Sequence, residues 1–244
     1  MATSQHPEHV TPHHRPLADA IVGLAETPDH VSGVEIHLKV IAALAADRVA
    51  AADYASVTTL QGDEYTTVAA SSDIASAVDE AQIADGAGPC LQALETGEPV
   101  GVTDTRATMD WPGFHAVAPA LGLQASVSVP LYIGRSTPIA VLNLYGRDSS
   151  TMEPLIVGVA HLYATSRELA LGIDPPPVRD PGAAKLLDGY ARALAVRTCI
   201  QRAVRLLTEL GGHSSDDAYT TLCERAAEHG NSLSVEAKDL IHRK

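Results

Sequence analysis

Cys90 is the residue whose chemistry the sequence raises first. It lies in GAGPCLQALETGEPVGVTD, residues 86–104, between Gly88-Pro89 and an apolar helical run. A thiol at the start of a helix can have a lowered pKa and act as a nucleophile. A catalytic thiol also needs a base, and the candidate base, His115, lies in a different segment. We therefore predict a structural role for Cys90 and no enzymatic activity, with redox sensing and catalysis as the alternatives.

The remaining cysteines indicate neither a metal site nor a disulfide framework. Cys90, Cys199 and Cys223 contain no CxxC pair, cannot all be paired within one chain, and fit none of the usual zinc spacings. We predict a reduced protein with no metal site, and we assign it no cofactor. His6, His9, His13 and His14 lie in a histidine-rich and proline-rich segment, which predicts a disordered leader over residues 1–32.

The sequence also predicts a cytoplasmic protein. The N-terminal MATSQHPEHVTPHHRP has no apolar stretch of the kind found in signal peptides. No later stretch approaches the roughly 20 consecutive apolar residues that span a bilayer. We therefore expect no contact with a membrane.

Charge is distributed unevenly along the chain. The net charge is −13, but residues 1–182 carry 8 Lys/Arg against 22 Asp/Glu, whereas residues 183–244 carry 9 against 8. The change coincides with GIDPPPVRDPG, residues 172–182, where prolines and glycines interrupt regular structure. We predict one domain over residues 33–172, a linker over 173–182, and a second domain over 183–244.

The first domain has the pattern of an α+β fold. Residues 124–133 alternate apolar with small or polar side chains, which predicts a strand with one core face, and residues 138–146 follow as its antiparallel partner. Residues 54–60 and 65–71 predict a hairpin. Helices are predicted over 34–52, around SDIASAVDEAQI, around Leu91 and Leu94, and over MEPLIVGVAHLYATSRELALG. The order predicts an antiparallel sheet covered by helices.

These segments resemble the GAF domain of actinobacterial regulators. The resemblance rests on the Gly-Pro-Cys helix start, the Trp-Pro of DWPGFHAVAPALGLQASVSVPL, the Ser-Val-Pro-Leu strand, and the Asn-Leu-Tyr of PIAVLNLYG. It covers roughly residues 33–172. It implies a sensory module with a pocket between the sheet and its covering helices, which binds a small molecule or serves in dimerisation. The candidate pocket residues are Cys90, Trp111, Phe114, His115 and Asn143.

The second part predicts three helices. Residues 183–210 form one run in which Leu186, Ala193, Ile200 and Leu207 recur every seven residues. At about 1.5 Å per residue the helix is roughly 42 Å long, too long to be buried by the two short helices that follow. This predicts a coiled-coil homodimer, with packing on the helices of the first domain as the alternative. The next helix is capped by Ser214 and Asp217, and the last one by Ser234.

This arrangement resembles the ANTAR domain, a three-helix RNA-binding module of transcription antiterminators. Its matching positions, over residues 186–241, are Ala203, Asp217-Ala218-Tyr219, Leu222, Arg225-Ala226, Asn231, Leu233, Ala237 and Ile241. One departure concerns the first helix, where Ala203-Val204-Arg205 replaces the family's Ala-Lys-Gly.

The resemblance implies a cytosolic regulator that binds RNA stem-loops and prevents transcription termination. Arginine suits this role because its planar group reaches two phosphate oxygens or stacks on an unpaired base. The candidate RNA-binding residues are Arg197, Arg202, Arg205, Arg225, Lys238 and Arg243. The alternative is a dimerisation or protein-interaction regulator whose helical tail no longer binds RNA.

Overall fold

A computed structural model describes residues 16–62, 64–134, 138–169, 175–211 and 214–242. The strands are β1 (Tyr54–Gln61), β2 (Glu64–Ala70), β3 (Val100–Val102), β4 (Ala125–Tyr132) and β5 (Pro138–Gly146). The helices are α1 (Leu17–Ala25), α2 (Val34–Arg48), α3 (Asp73–Asp85), α4 (Pro89–Thr96), α5 (Pro112–Val117), α6 (Ser149–Ser166), α7 (Pro181–Gly211), α8 (Ser215–His229) and α9 (Leu233–His242).

The sheet has the predicted antiparallel α+β architecture. Its order is β2-β1-β5-β4-β3, and β4 pairs with β5 in the register Val127↔Leu144. Helices α2 and α6 pack on one face, while α3 and α4 cover the other. The polar side chains of β4, such as Ser126 and Ser128, are consequently buried rather than facing solvent.

Helix α1 corrects the prediction of a leader that is disordered as far as residue 32. Leu17, Ile21 and Leu24 repeat at helical spacing, are buried, and pack in the main core. Helix α1 contacts α7 closely, because a Cβ on Gly189 would lie 2.6 Å from the Cα of Ala18. Residues 1–15, with the four histidines, lie outside the described residues.

Helix α7 corrects the argument for a coiled coil. Its seam residues Leu186, Ala193 and Ile200 are buried within the chain, against α1, α6, α8 and α9. The alternative prediction, packing on the helices of the first part, is therefore the one that the structure confirms. A homodimer remains a prediction, but the apolar seam no longer requires one.

The two predicted parts share one hydrophobic core. Residues 175–180 have no regular structure, yet the core runs from the α2–α6 face of the sheet through α1 and α7 to Leu222 of α8 and Ala237 of α9. Helix α8 begins at the predicted cap, where Ser214 Oγ accepts from the Asp217 N–H at 3.1 Å. The cap of α9 is Ser232 rather than Ser234, whose N–H donates to Glu26 of the first part.

Within the described ranges, no helix is long and apolar enough to cross a membrane.

Candidate functional site

A cluster of polar side chains, all buried except the partly buried Thr67, lies between the sheet and helices α3 and α4. We call it the buried polar cluster, and it consists of Ser56, Thr58, Thr67, Asp79, Gln82, Cys90, Ser128, Asn143 and Tyr145. Strands β1, β2, β4 and β5 supply its floor, and α3 and α4 supply its cover. The resemblance to GAF domains implies a ligand pocket between the sheet and its covering helices, and the cluster lies in that position.

Asp79 is the centre of the cluster. Its Oδ1 accepts from the Tyr145 hydroxyl at 2.5 Å and from the Asn143 amide at 3.3 Å. Its Oδ2 accepts from Thr67 at 3.0 Å and from Thr58 at 3.3 Å. Burial raises the pKa of Asp79, and the hydrogen bonds from surrounding hydroxyls oppose that rise. The carboxyl group is thus held in a dry site where its charge is disfavoured.

Asn143 connects the carboxyl group to the thiol. Its Nδ2 lies 3.2 Å from the Sγ of Cys90 and 3.3 Å from the hydroxyl of Ser56, as well as near Asp79 and Thr58. An amide has only two N–H donors, so these acceptors compete for them. The Asn143 carbonyl accepts from Ser128 at 2.9 Å. The candidate pocket residues Cys90 and Asn143 are therefore in direct contact.

The environment of Cys90 favours the structural role. The Cys90 N–H donates to Gln82 Oε1 at 2.9 Å, and a Cβ on Gly88 would lie 2.3 Å from that oxygen. This close approach explains why glycine precedes Pro89 at the helix start. Burial raises the pKa of the Cys90 thiol to about 12, and the charge of Asp79 adds to the effect. A thiol with this pKa is a poor nucleophile at neutral pH.

His115 and Cys90 make separate contacts. The Nδ1 of His115 lies 3.2 Å from the carbonyl oxygen of Thr105. Trp111 and Phe114 meet edge to face, with ring centroids 6.3 Å apart, and Phe114 is fully buried in a small core with Tyr145. Phe114 thus reaches the buried polar cluster through Tyr145, whereas Trp111 packs at the edge of the same small core.

Sequence reasoning missed Asp79, Gln82 and Tyr145. A signal for the first two was present in SDIASAVDEAQI. Ala75, Val78, Asp79 and Gln82 fall on one face of a helix, and this is the face that α3 buries. A carboxylate and an amide on a buried face require polar partners.

The comparisons with known proteins identify the first part of the chain. The family model described as "GAF domain" matches residues 34–170, which is more than half of the sequence. The chain belongs to the GAF domain family. The match ends before α7 begins, so the expected ANTAR identity of the helical tail is not established by it.

Solved structures similar to this GAF protein share little sequence with it. A domain of a protein described as a two-component sensor histidine kinase, from Sinorhizobium meliloti 1021, is 14% identical with a TM-score of 0.41, covering 72% of this chain and 97% of that one. The GAF domain region of a membrane protein from Geobacter sulfurreducens PCA is 15% identical with a TM-score of 0.39, covering 67% and 91%. A GAF domain/HD domain protein from Geobacter sulfurreducens is 12% identical with a TM-score of 0.35, covering 76% and 94%.

No curated protein matches the chain.

The cations predicted to bind RNA separate into two groups in the GAF protein. Arg202, Arg205 and Lys238 are exposed on α7 and α9, and we call them the α7–α9 cationic surface. Arg202 and Arg205 line one cleft together with Glu209 and Ile241. Burial raises the pKa of Cys199, and the charges of Lys238 and Arg202 act against that rise, so both cations lie near this thiol.

The other predicted cations have partners inside the protein. The Arg197 guanidinium lies over the Tyr132 ring, 4.3 Å from its centroid. Arg225 donates to Glu236 at 3.3 Å, and His229 and Asn231 bind the same carboxylate. The hydrogen bond with His229 is the largest cause that lowers the pKa of Glu236. Arg243 lies outside the described residues.

Proposed function

We propose that this protein is a non-enzymatic, cytoplasmic signal-responsive regulator in which a GAF domain controls a helical tail that binds RNA stem-loops in transcription antitermination. Membership of the GAF family supports the sensing role. The RNA-binding role is supported by the ANTAR-like residues of the tail and by the α7–α9 cationic surface.

The observation that carries the RNA-binding role is the lack of internal partners at this surface. Among the residues that the structure describes, the side chains of Arg202, Arg205 and Lys238 form no hydrogen bond or ion pair, and the only bond of Lys238 outside the helix ladder joins its backbone carbonyl to the ring of His242. Arg192, on the same helix, pairs with Asp19 and Asp188 instead. Unpaired, exposed cations keep their donors available for phosphate oxygens.

The packing of α7 supports a route between the two proposed functions. This helix contacts α1 and α6, and Arg197 on α7 contacts Tyr132 at the end of β4. A change at the sheet would therefore act on the same helix that carries Arg202 and Arg205. We propose that a ligand of the GAF domain shifts the population of α7 arrangements, since a ligand changes an equilibrium only by contacting its states differently.

Three cations give a modest surface for a chain with a net charge of −13. We propose that two copies bind together, because pairing doubles the contacts and raises the effective concentration of the second one. Sedimentation of the free protein and of its RNA complex would measure this stoichiometry.

The test is a titration of a fluorescent RNA that carries two adjacent stem-loops, at several salt concentrations, with single-stranded RNA as the reference. Each phosphate contact contributes roughly −0.7 to −0.9 to the slope of log K against log salt. The Arg202→Ala/Arg205→Ala variant should bind more weakly and lose about 1.4 to 1.8 from that slope.

Lys185→Ala/Arg192→Ala is the matched control, because it removes two exposed cations from the N-terminal half of the same helix. This control variant should leave the slope of log K against log salt unchanged if the RNA phosphates contact only the α7–α9 cationic surface. Equal effects of the two double variants, or no preference for stem-loops, would contradict the RNA-binding role.

The alternative function is that of a protein-interaction regulator. It is favoured by Leu210, a large apolar side chain that is 71% exposed near the end of α7. A protein partner would show a much smaller salt dependence than RNA does.

A further inference from the structure

A groove between α6, α7 and α9 is a second candidate binding site, separate from the buried polar cluster. Its volume is about 380 Å³, within the range of about 300–1,000 Å³ typical of small-molecule sites. It lies where a helix of the GAF domain meets two helices of the tail. We call it the α6–α7–α9 groove.

The lining of the groove is mainly apolar, also includes the hydroxyl-bearing Thr165, Ser166 and Thr198, and is cationic at one end. Its apolar residues include Leu162 of α6, Ala191, Leu194 and Ala195 of α7, and Ile241 of α9. Arg202 is the lining residue nearest the C-terminus of α7. From Ala191 to Arg202 the helix rises about 16 Å, which is the length scale of a medium-chain acyl group.

Charges at that end favour a single negative charge. Arg202 lines both this groove and the neighbouring cleft, and Lys238 lies near Cys199 on the groove wall. Two acidic groups reduce the positive potential. Glu209 lines the neighbouring cleft. Glu26 accepts from the Ser234 N–H, and its negative charge contributes to the raised pKa of Cys199. A guanidinium group binds a carboxylate through two parallel N–H bonds.

We propose that the α6–α7–α9 groove binds an amphipathic monocarboxylate, with the acyl chain against Leu162, Leu194 and Ala195 and the carboxylate on Arg202. Burial of the chain supplies affinity, because apolar area leaves water. The unpaired guanidinium supplies selectivity for the carboxylate. Because the site joins α6 to α7 and α9, its occupant contacts both the GAF domain and the tail. The proposal does not depend on RNA binding.

The test is a calorimetric titration of the full chain with decanoate, beside decanol, which lacks the charge, and acetate, which lacks the chain. We expect saturable binding of one decanoate per chain, with decanol and acetate each weaker by about tenfold or more. Saturable decanoate binding is required, and its absence would overturn the proposal.

Three variants locate the site. Arg202→Ala should weaken decanoate by about tenfold or more but leave decanol unchanged, because only the charged contact is removed. Ala195→Phe should weaken both ligands by filling the groove. Lys185→Ala, exposed on α7 but outside the groove lining, should change neither. Should Ala195→Phe fail to fold by circular dichroism, the decanoate and decanol titrations of Arg202→Ala still decide.

The outcomes separate this proposal from the RNA-binding function. Decanoate binding without RNA binding would support the groove and remove the RNA role. RNA binding without decanoate binding would support the RNA role and overturn the proposed groove site. Decanoate affinity that is unchanged in Arg202→Ala would overturn the assignment of the carboxylate to that residue and, with it, the proposed site.

Discussion

The guanidinium group of Arg197 lies 4.3 Å from the centroid of the Tyr132 ring, which joins the middle of α7 to the end of β4. Tyr132 is almost fully buried, and its hydroxyl donates to the Gly97 carbonyl at 2.7 Å. Burial raises the pKa of Tyr132 to about 12, and the Arg197 charge acts against this rise. One aromatic side chain therefore links the end of α4, the sheet and the tail.

Removing Arg197 should destabilise the whole chain rather than the tail alone. The contact of a partly buried cation with a ring contributes about 0.5–2 kcal/mol, and the aliphatic stem adds packing. Arg197→Ala should lower the free energy of unfolding in urea by about 1–3 kcal/mol. Arg197→Lys should retain part of the stability that Arg197 contributes, because the charge of lysine can still face the ring.

A double-mutant cycle with Tyr132→Leu isolates the contact itself. The coupling energy between the two sites should be about 0.5–2 kcal/mol. Additive effects, with no coupling, would contradict an energetic link between β4 and α7 through this pair.

Cys90 should be the slowest thiol to react in the folded protein. With a pKa of about 12, its thiolate fraction at pH 8 is about 10⁻⁴, and its side chain is buried. Cys199 is partly exposed on the groove wall. Iodoacetamide labelling followed by peptide mass spectrometry should show Cys199 modified well before Cys90, and urea should remove the difference. Equal rates in the native state would contradict the structural role of Cys90.

The sequence was sufficient to locate β4 and β5, but it was not sufficient to identify the helices that pack on the second face of the sheet or on α7. Alternation in residues 124–133 and the boundaries of 138–146 predicted the positions of β4 and β5 closely. Alternating side chains indicate a strand because successive residues of a strand point to opposite faces of the sheet. The heptad spacing of α7 reported an apolar face as well. The spacing did not show that α1, within the predicted disordered leader, would help to cover that face. Which distant helices pack together depends on the whole fold, not on the pattern of one helix.

The candidate site was also predictable only in part, because the sequence shows local patterns but not which distant segments pack together. The Gly-Pro-Cys motif located Cys90, and Asn143 was placed on its strand. Asp79 required the helical face of α3 to be read together with the sheet that it covers. Arg197 and Arg205 look alike in sequence, and only Tyr132 distinguishes the stacked cation from the exposed one.

Gly88 should be intolerant of even one added carbon. A Cβ there would lie 2.3 Å from Gln82 Oε1, the acceptor of the Cys90 N–H. Gly88→Ala should displace Gln82 and lower the free energy of unfolding by about 1–3 kcal/mol, the cost of a lost buried hydrogen bond. Differential scanning calorimetry would measure the loss.

Gly23→Ala is the control for that substitution. Gly23 lies within α1, and a Cβ there would meet nothing within 4 Å. Alanine should be neutral or stabilising by about 0.5–1 kcal/mol, because it lowers the entropy of the unfolded chain. A comparable loss in both variants would contradict a specific role for the close approach of Gly88 to Gln82.

Asp79 should make stability depend on pH in a predictable direction. Burial raises the pKa of its carboxyl group in the folded state, so the folded protein holds this proton at pH values where the unfolded chain has released it. A raised carboxyl pKa contributes stability that is present below the unfolded pKa, near 3.8, and is lost as the pH rises through the folded pKa. Wild type should therefore lose stability relative to Asp79→Asn as the pH rises from about 4 towards neutrality.

The measurement is urea unfolding of wild type and Asp79→Asn across that pH range, with the difference between them plotted against pH. Other carboxyl groups titrate equally in both proteins and cancel in the difference. Glu80→Gln removes one negative charge from the exposed neighbour of Asp79, and so controls for net charge. A difference that is flat, or that changes in favour of wild type as the pH rises, would mean that the hydroxyls of Thr58, Thr67 and Tyr145 stabilise the charged carboxylate more than burial disfavours it.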